Sequence, residues 1–138
     1  MIRYTSEIRV RYADTDQMKN VYYGKYLEYF EQARSDLFRA LGLPYSELER
    51  RGLLLPVIEA FARYKRPACY DDLLSVETML PDIAGARIRL DYSIVRKGES
   101  EILVEGYTAH AFVSASTGKP IRAPEFILRT VNKALNAS

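Results

Sequence analysis

The sequence predicts an α+β domain in which an antiparallel sheet packs on one long helix. Three observations carry that prediction. Apolar side chains between residues 22 and 41 recur at spacings of three and four. From residue 53 to about residue 122, successive segments are apolar or alternate with period two. Short, turn-rich links separate these segments, with no helical pattern between them. The first pattern is that of an amphipathic helix and the second that of half-buried strands. Strands in direct succession pair antiparallel, and the helix must bury its stripe against them. A chain of 138 residues suits one core, so residues 1–138 are expected to form a single domain.

The elements follow in order. In residues 6–13, Ile8, Val10 and Tyr12 alternate with Glu7, Arg9 and Arg11, as a half-buried strand does. Asp14-Thr15-Asp16 ends it, because Asp favours turns, and residues 17–21 form a loop. The helix over 22–41 carries Tyr22, Tyr26, Phe30, Ala33, Leu37 and Leu41, and its stripe is widened by Leu27, Tyr29 and Phe38. Gly42 suits its C-terminal cap, with Pro44 beyond. Residues 45–51 predict a short helix closed by Gly52. Leu53–Tyr64 predicts a strand ended by Arg66-Pro67. Leu74, Val76 and Thr78 mark the next strand, which runs up to Pro81. A turn over 82–85 leads to Ile88, Leu90, Tyr92 and Ile94. Lys97-Gly98-Glu99 breaks the pattern in the manner of a hairpin. Ile102–Ser114 predicts a long strand, and residues 116–119 turn into a short last one ending near Arg122. Pro124 opens a terminal helix holding Phe126, Ile127, Val131 and Leu135.

Composition excludes several function classes. The net charge is +2 and the basic residues are interleaved with acidic ones, so no nucleic-acid partner is expected. No apolar run approaches the roughly 18 residues of a membrane span. The first residues, MIRYTSEIRV, lack an apolar signal core, which makes the cytoplasm the expected compartment. The lone Cys69 has no partner for an internal disulfide, and the spacing of Cys and His suggests no metal site.

The chemistry concentrates in residues 11–34, RYADTDQMKNVYYGKYLEYFEQAR. Asp14 and Asp16 precede the start of the long helix, and on extended backbone they would point to one side. The first N–H groups of a helix lack intrahelical partners and form its positive end. An acid beside such donors can activate water while the donors hold an oxyanion. Spacing alone also allows Asp16 to be a turn cap. Tyr22, Tyr23 and Gly24 form the predicted helix start, where glycine allows close approach of a ligand or of backbone. Glu59 lies within an apolar strand from which it could face the site. His110 sits among Ala109, Ala111 and Phe112 and is read as a packed strand residue. Glu31 and Arg34 have ion-pair spacing on the helix. Lys65, Arg66, Arg87, Arg89, Arg96 and Lys97 are read as solvated, although the phosphates of a nucleotide would favour such residues. No Gly-x-Ser-x-Gly elbow is present, which excludes an α/β-hydrolase.

DTDQM, VYYGKYL and FEQAR in that order, followed by YKRPACYDDLLSVET and VEGYTAHAFVSASTGKPIRAP, resemble the 4-hydroxybenzoyl-CoA thioesterase family, and within it the small bacterial acyl-CoA thioesterases. The resemblance spans residues 5–128 and implies a hot-dog fold, a curved antiparallel sheet wrapped around one long helix. It implies a homodimer or a dimer of dimers (a homotetramer), with active sites between subunits. It implies hydrolysis of an acyl-CoA to free acid and coenzyme A without a cofactor, coenzyme A being part of the substrate. It places the catalytic carboxylate on Asp16 and the oxyanion donor on the backbone N–H of Tyr23. Alternatives of the same fold are a thioesterase for acyl or polyketide chains on an acyl-carrier protein and a non-catalytic acyl-CoA-binding protein. This sequence departs from the family pattern at Lys19, where glycine is usual, and at Lys25, where asparagine is frequent.

Overall fold

The structure is a computed structural model and describes residues 1–83 and 85–137. In chain order it contains β1 (Ile2–Arg9), a 3-10 turn (Tyr12–Asp14), α1 (Lys25–Ala40), α2 (Tyr45–Arg50), β2 (Leu53–Leu54), β3 (Val57–Tyr64), β4 (Leu73–Leu80), β5 (Arg87–Arg96), β6 (Val104–Ala111), β7 (Val113–Ser114) and α3 (Glu125–Ala137). Five strands form one antiparallel sheet in the order β1-β4-β5-β6-β3, and β2 and β7 form a small separate ribbon. The edges of the large sheet are therefore β1 and β3.

Alternation decides which face holds the core. Leu74, Val76, Thr78 and Leu80 of β4 are buried, as are Ile88, Leu90, Tyr92 and Ile94 of β5. Against them α1 lays Tyr26, Tyr29, Phe30, Ala33, Leu37 and Phe38, all buried. Phe30 stacks on Tyr92 with centroids 4.3 Å apart, worth about 0.5–1.5 kcal/mol beyond the area it buries. Gly106 of β6 lets the helix come this close. A Cβ there would stand 2.9 Å from a Phe30 ring carbon and collide with the Phe61 carbonyl. On the flanks of α1, one side faces β1 and the other faces β3.

Several boundaries differ from the sequence expectation, each for a local reason. The first strand starts at Ile2 and stops at Arg9, because a 3-10 turn closed by Asp14 begins at Tyr12. Tyr12 is consequently exposed and does not share the buried face of Ile8 and Val10. The long helix starts at Lys25 rather than Tyr22, because the Tyr22 N–H donates to the Asp14 carbonyl and Tyr22–Lys25 forms a turn. Tyr22 and Leu27 stay exposed beside the stripe. The expected strand over 53–64 is split at Pro56, which has no N–H for a ladder. That over 102–114 is split at Phe112, whose N–H donates to Ala86 while the chain beyond pairs with β2. Between 119 and 122 there is a single bridge, Val113 to Pro120, because Pro120 offers no donor. The turn expected over 82–85 includes Ala84, which lies outside the described residues. No helix among the described residues is long and apolar enough to cross a membrane.

Candidate active site

Residues 14–24 form a hairpin that feeds α1. Thr15 bridges to Val21, the Asp16 N–H donates to the Asn20 carbonyl (2.8 Å), and the Lys19 N–H donates to the Asp16 carbonyl (3.0 Å). A three-residue loop of this kind places its last residue in the left-handed region. That residue is Lys19, with φ +64°. The glycine usual here in the family is thereby explained, and the lysine occupies the same conformation. The loop is also tied to the chain after Pro67. Val21 N–H donates to Ala68 O (2.8 Å), Tyr70 N–H donates to Lys19 O (2.9 Å), and the Tyr26 hydroxyl accepts the Ala68 N–H (3.0 Å).

The two acids have different environments. Asp16 is exposed, and its Oδ1 accepts the N–H groups of Met18 (2.8 Å) and Asn20 (3.2 Å). Among the described residues Oδ2 has no partner. This is the loop-capping role of an Asp, and it leaves one carboxylate oxygen free at the surface of the hairpin. Asp14 is 3% exposed and lies in the 3-10 turn rather than on a strand. It does not share a side with Asp16 as extended backbone would have required. Its carboxylate accepts the Tyr29 hydroxyl (2.9 Å), the Arg11 N–H (3.2 Å) and the Arg11 guanidinium (3.1 Å). Burial pushes the Asp14 carboxyl up, but the Arg11 N–H, the Tyr29 hydroxyl and the Arg11 guanidinium together hold it below the ordinary carboxylate range. Asp14 orders the loop. The Tyr29–Asp14 bond escaped the sequence reading, in which the only signal was that a buried Tyr hydroxyl requires a partner.

At the other arm of the hairpin, Tyr22, Tyr23 and Gly24 precede α1. The N–H groups of Tyr23 and Gly24 donate to no acceptor among the described residues. The Tyr22 ring lies across Gly24, where a Cβ would meet it at 2.9 Å, so the close approach at this glycine is by Tyr22. The Tyr64 hydroxyl donates to the Tyr23 carbonyl (3.1 Å) and anchors the end of β3 at this point. A cleft of about 390 Å³ opens beside Tyr23, walled by Val21, Tyr26, Tyr64 and Pro67, with Lys65 and Arg66 also lining it.

The remaining candidates fall elsewhere. Glu59 pairs with Ala109 and accepts the Tyr107 hydroxyl (2.8 Å) on the sheet face turned away from α1. It does not face the site formed by its own chain, because residues 60, 62 and 64 hold the inner positions of β3. His110 is buried, with Nδ1 on the Leu55 carbonyl (3.1 Å) and Nε2 on the Thr108 hydroxyl (2.9 Å), a packed role as expected. Arg34 forms no pair with Glu31; it is turned inward, and its Nε donates to the Tyr45 hydroxyl (3.3 Å). Lys65, Arg66, Arg89 and Arg96 pair with Glu105, Glu101, Asp91 and Asp72.

This architecture, a sheet curled on one long helix with an acid loop at the helix start, defines a hot-dog thioesterase fold. The chain belongs to the Thioesterase-like superfamily, whose sequence profile matches residues 10–131. It is 36% identical over 116 residues to YneP of Bacillus subtilis, covering 84% of this chain and 83% of that protein. To the acyl-CoA thioesterase YbgC of Haemophilus influenzae it is 33% identical over 119 residues, 86% of each chain. The DHNA-CoA thioesterase of Staphylococcus aureus superposes with a TM-score of 0.87 at 31% identity, covering 99% of this chain and 91% of that one. The chain is a thioester hydrolase, with acyl-CoA thioesterases among its relatives.

Proposed function

We propose that this chain hydrolyses acyl-CoA thioesters, as a cytoplasmic enzyme of the small bacterial branch close to the 4-hydroxybenzoyl-CoA thioesterases. The observation that carries the reading is the hairpin that holds the Asp16 carboxylate, with one oxygen free, one arm away from the unaccepted amides of Tyr23 and Gly24. The thioester carbonyl accepts the Tyr23 N–H, with Gly24 beside it and the Tyr22 ring covering the turn. Asp16 adds to the carbonyl carbon, or takes a proton from the water that does so. The C–S bond breaks, coenzyme A leaves as thiolate, and water supplies the oxygen of the free acid. Thiolate is a good leaving group, so no strong acid is required opposite, and the reaction uses no cofactor. Within one chain Glu59 has no part in these steps.

The whole chain acts as one hot-dog domain in a homodimer or a dimer of dimers. Strand β3 supports this. It is an open edge, with Val57, Ile58, Phe61 and Tyr64 exposed along it. Pairing of β3 with its copy would cover that edge and carry a second subunit past the Tyr23 cleft.

The test is thiol release from a panel of acyl-CoA substrates. Asp16→Asn is expected to lower kcat by about 10²–10⁴-fold with an unchanged melting curve. Near-normal turnover of the best substrate by this variant would overturn the mechanism. A second reading, an acyl-carrier-protein substrate, is favoured by Lys65 and Arg66 on the cleft, and turnover of one acyl group on both carriers separates the two. Binding of acyl-CoA without turnover would mark a non-catalytic protein. The ability of Lys19 to hold the glycine conformation removes the main sequence argument for that reading.

A further inference from the structure

On the β3 flank of α1 the residues Gly24, Leu27, Glu31 and Arg34 succeed one another at spacings of three and four, so they lie along one stripe. The stripe starts at the unaccepted amides and ends, about 15 Å along the helix, at Arg34. There a cavity of about 180 Å³ is lined by Leu27, Glu31, Arg34, Val57, Ala60 and Thr108, with Glu28 at its side. Arg34 is 7% exposed. No carboxylate of the described residues lies within ion-pairing range of it; its polar neighbours are the neutral hydroxyls of Tyr45, which accepts its Nε–H, and Tyr92. The Tyr92 and Thr108 hydroxyls nearby are hydrogen-bonded to each other at 2.6 Å. Of the two acids at the cavity, Glu28 is held by Lys25 (3.2 Å) and Glu31 is exposed to water. A buried guanidinium without a counter-ion is unfavourable unless an anion completes it. Its planar fork of donors fits a carboxylate through two parallel bonds.

We propose that this cavity receives the far end of the acyl group and that Arg34 selects acyl groups ending in a carboxylate. The inference rests on the acyl-CoA reading above. It makes the substrate class an ω-carboxyacyl thioester: the methylenes lie between Leu27, Val57 and Ala60, and the terminal carboxylate replaces the missing counter-ion. Arg34 is then a specificity residue that touches the substrate far from the bond that breaks.

The test compares kcat/KM for a series of ω-carboxyacyl-CoAs, from glutaryl- to dodecanedioyl-CoA, with the plain acyl-CoA of the same carbon count. In the wild type the best-fitting member of the series is expected to exceed its plain counterpart by about tenfold or more, as a charge-assisted hydrogen-bonded pair would give. Arg34→Met is expected to abolish that preference while leaving the plain substrate within a few-fold. Arg34→Lys, which keeps the charge but loses the fork, is expected to fall between. The inference is overturned if the wild type shows no preference at any length, or if Arg34→Met lowers both substrates equally. The wild-type comparison stands even if both variants fold poorly. Hydrolysis of plain acyl-CoA without preference sinks this inference alone, whereas hydrolysis of no acyl-CoA at all sinks the thioesterase reading with it.

Discussion

Lys19 is the residue at which local strain and function meet. Left-handed backbone costs a non-glycine residue about 1–2 kcal/mol, and Lys19 sits there at φ +64° in the turn that presents Asp16. Its two neighbours in the hydrogen-bond network, the Asp16 carbonyl and the Tyr70 N–H, hold it in place. Replacing it with glycine relieves the strain but frees the unfolded chain, which takes back about 0.4–1 kcal/mol. Lys19→Gly is expected to raise stability by about 0.5–1 kcal/mol, seen as a melting point higher by about 2–4 °C. A lower melting point would mean that the Lys19 side chain contributes to the loop. Asp14 shows the opposite design, a buried carboxylate whose every near neighbour is a donor.

At the scale of elements, a polar chain ties α1 to the sheet. Tyr45, Arg34, Tyr92, Thr108, His110 and the Leu55 carbonyl follow one another from α2 through α1, β5 and β6 to the link before β3. Burial lowers the His110 imidazole to about 4; the bond to the Leu55 carbonyl opposes this, and the Arg34 charge adds to it. The imidazole is therefore neutral in the folded protein. Below its unfolded value near 6.5 the unfolded chain binds the extra proton, so stability present above pH 6.5 is lost as pH falls toward 4. The loss from His110 is expected to be about 2 kcal/mol between about pH 7 and about pH 5, a range above most of the carboxylate titration. Urea midpoints at the two pH values read it. His110→Gln, which cannot titrate, is expected to flatten the difference, and an equal slope in both proteins would refute the assignment.

At the scale of the whole molecule, the two sheet edges differ. The outward residues of β1 are Thr5 and the charged Arg3, Glu7 and Arg9, which discourage strand addition, whereas β3 exposes Val57, Ile58, Phe61 and Tyr64. This asymmetry argues for assembly through β3 alone. Sedimentation is expected to give a mass of at least twice the 15.8 kDa chain, and Ile58→Lys to shift it toward the monomer at micromolar concentration. A wild type that sediments as a monomer would remove the subunit-interface reading. Because β3 lies beside both the Tyr23 cleft and the Arg34 cavity, the same variant is expected to lose activity with the partner.

The sequence by itself determined the fold class, the helical stripe from Tyr26 to Phe38, the alternation of β4 and β5, and the block in which the acid loop meets the helix start. These are local properties, set by periodicity and turn chemistry over a few residues, and they hold whatever the rest of the chain does. The break at Phe112 falls where the strand changes partner, which depends on residues far away in sequence, whereas those at Pro56 and Pro120 follow from the missing proline N–H. Only the tertiary structure decided that Asp14 turns inward to Tyr29 while Asp16 stays at the surface, that Glu59 faces away from α1, and that Arg34 is buried without an acid. Which face a side chain takes follows from strand register, and whether a charge finds a partner follows from packing between elements; neither is carried by spacing along the chain.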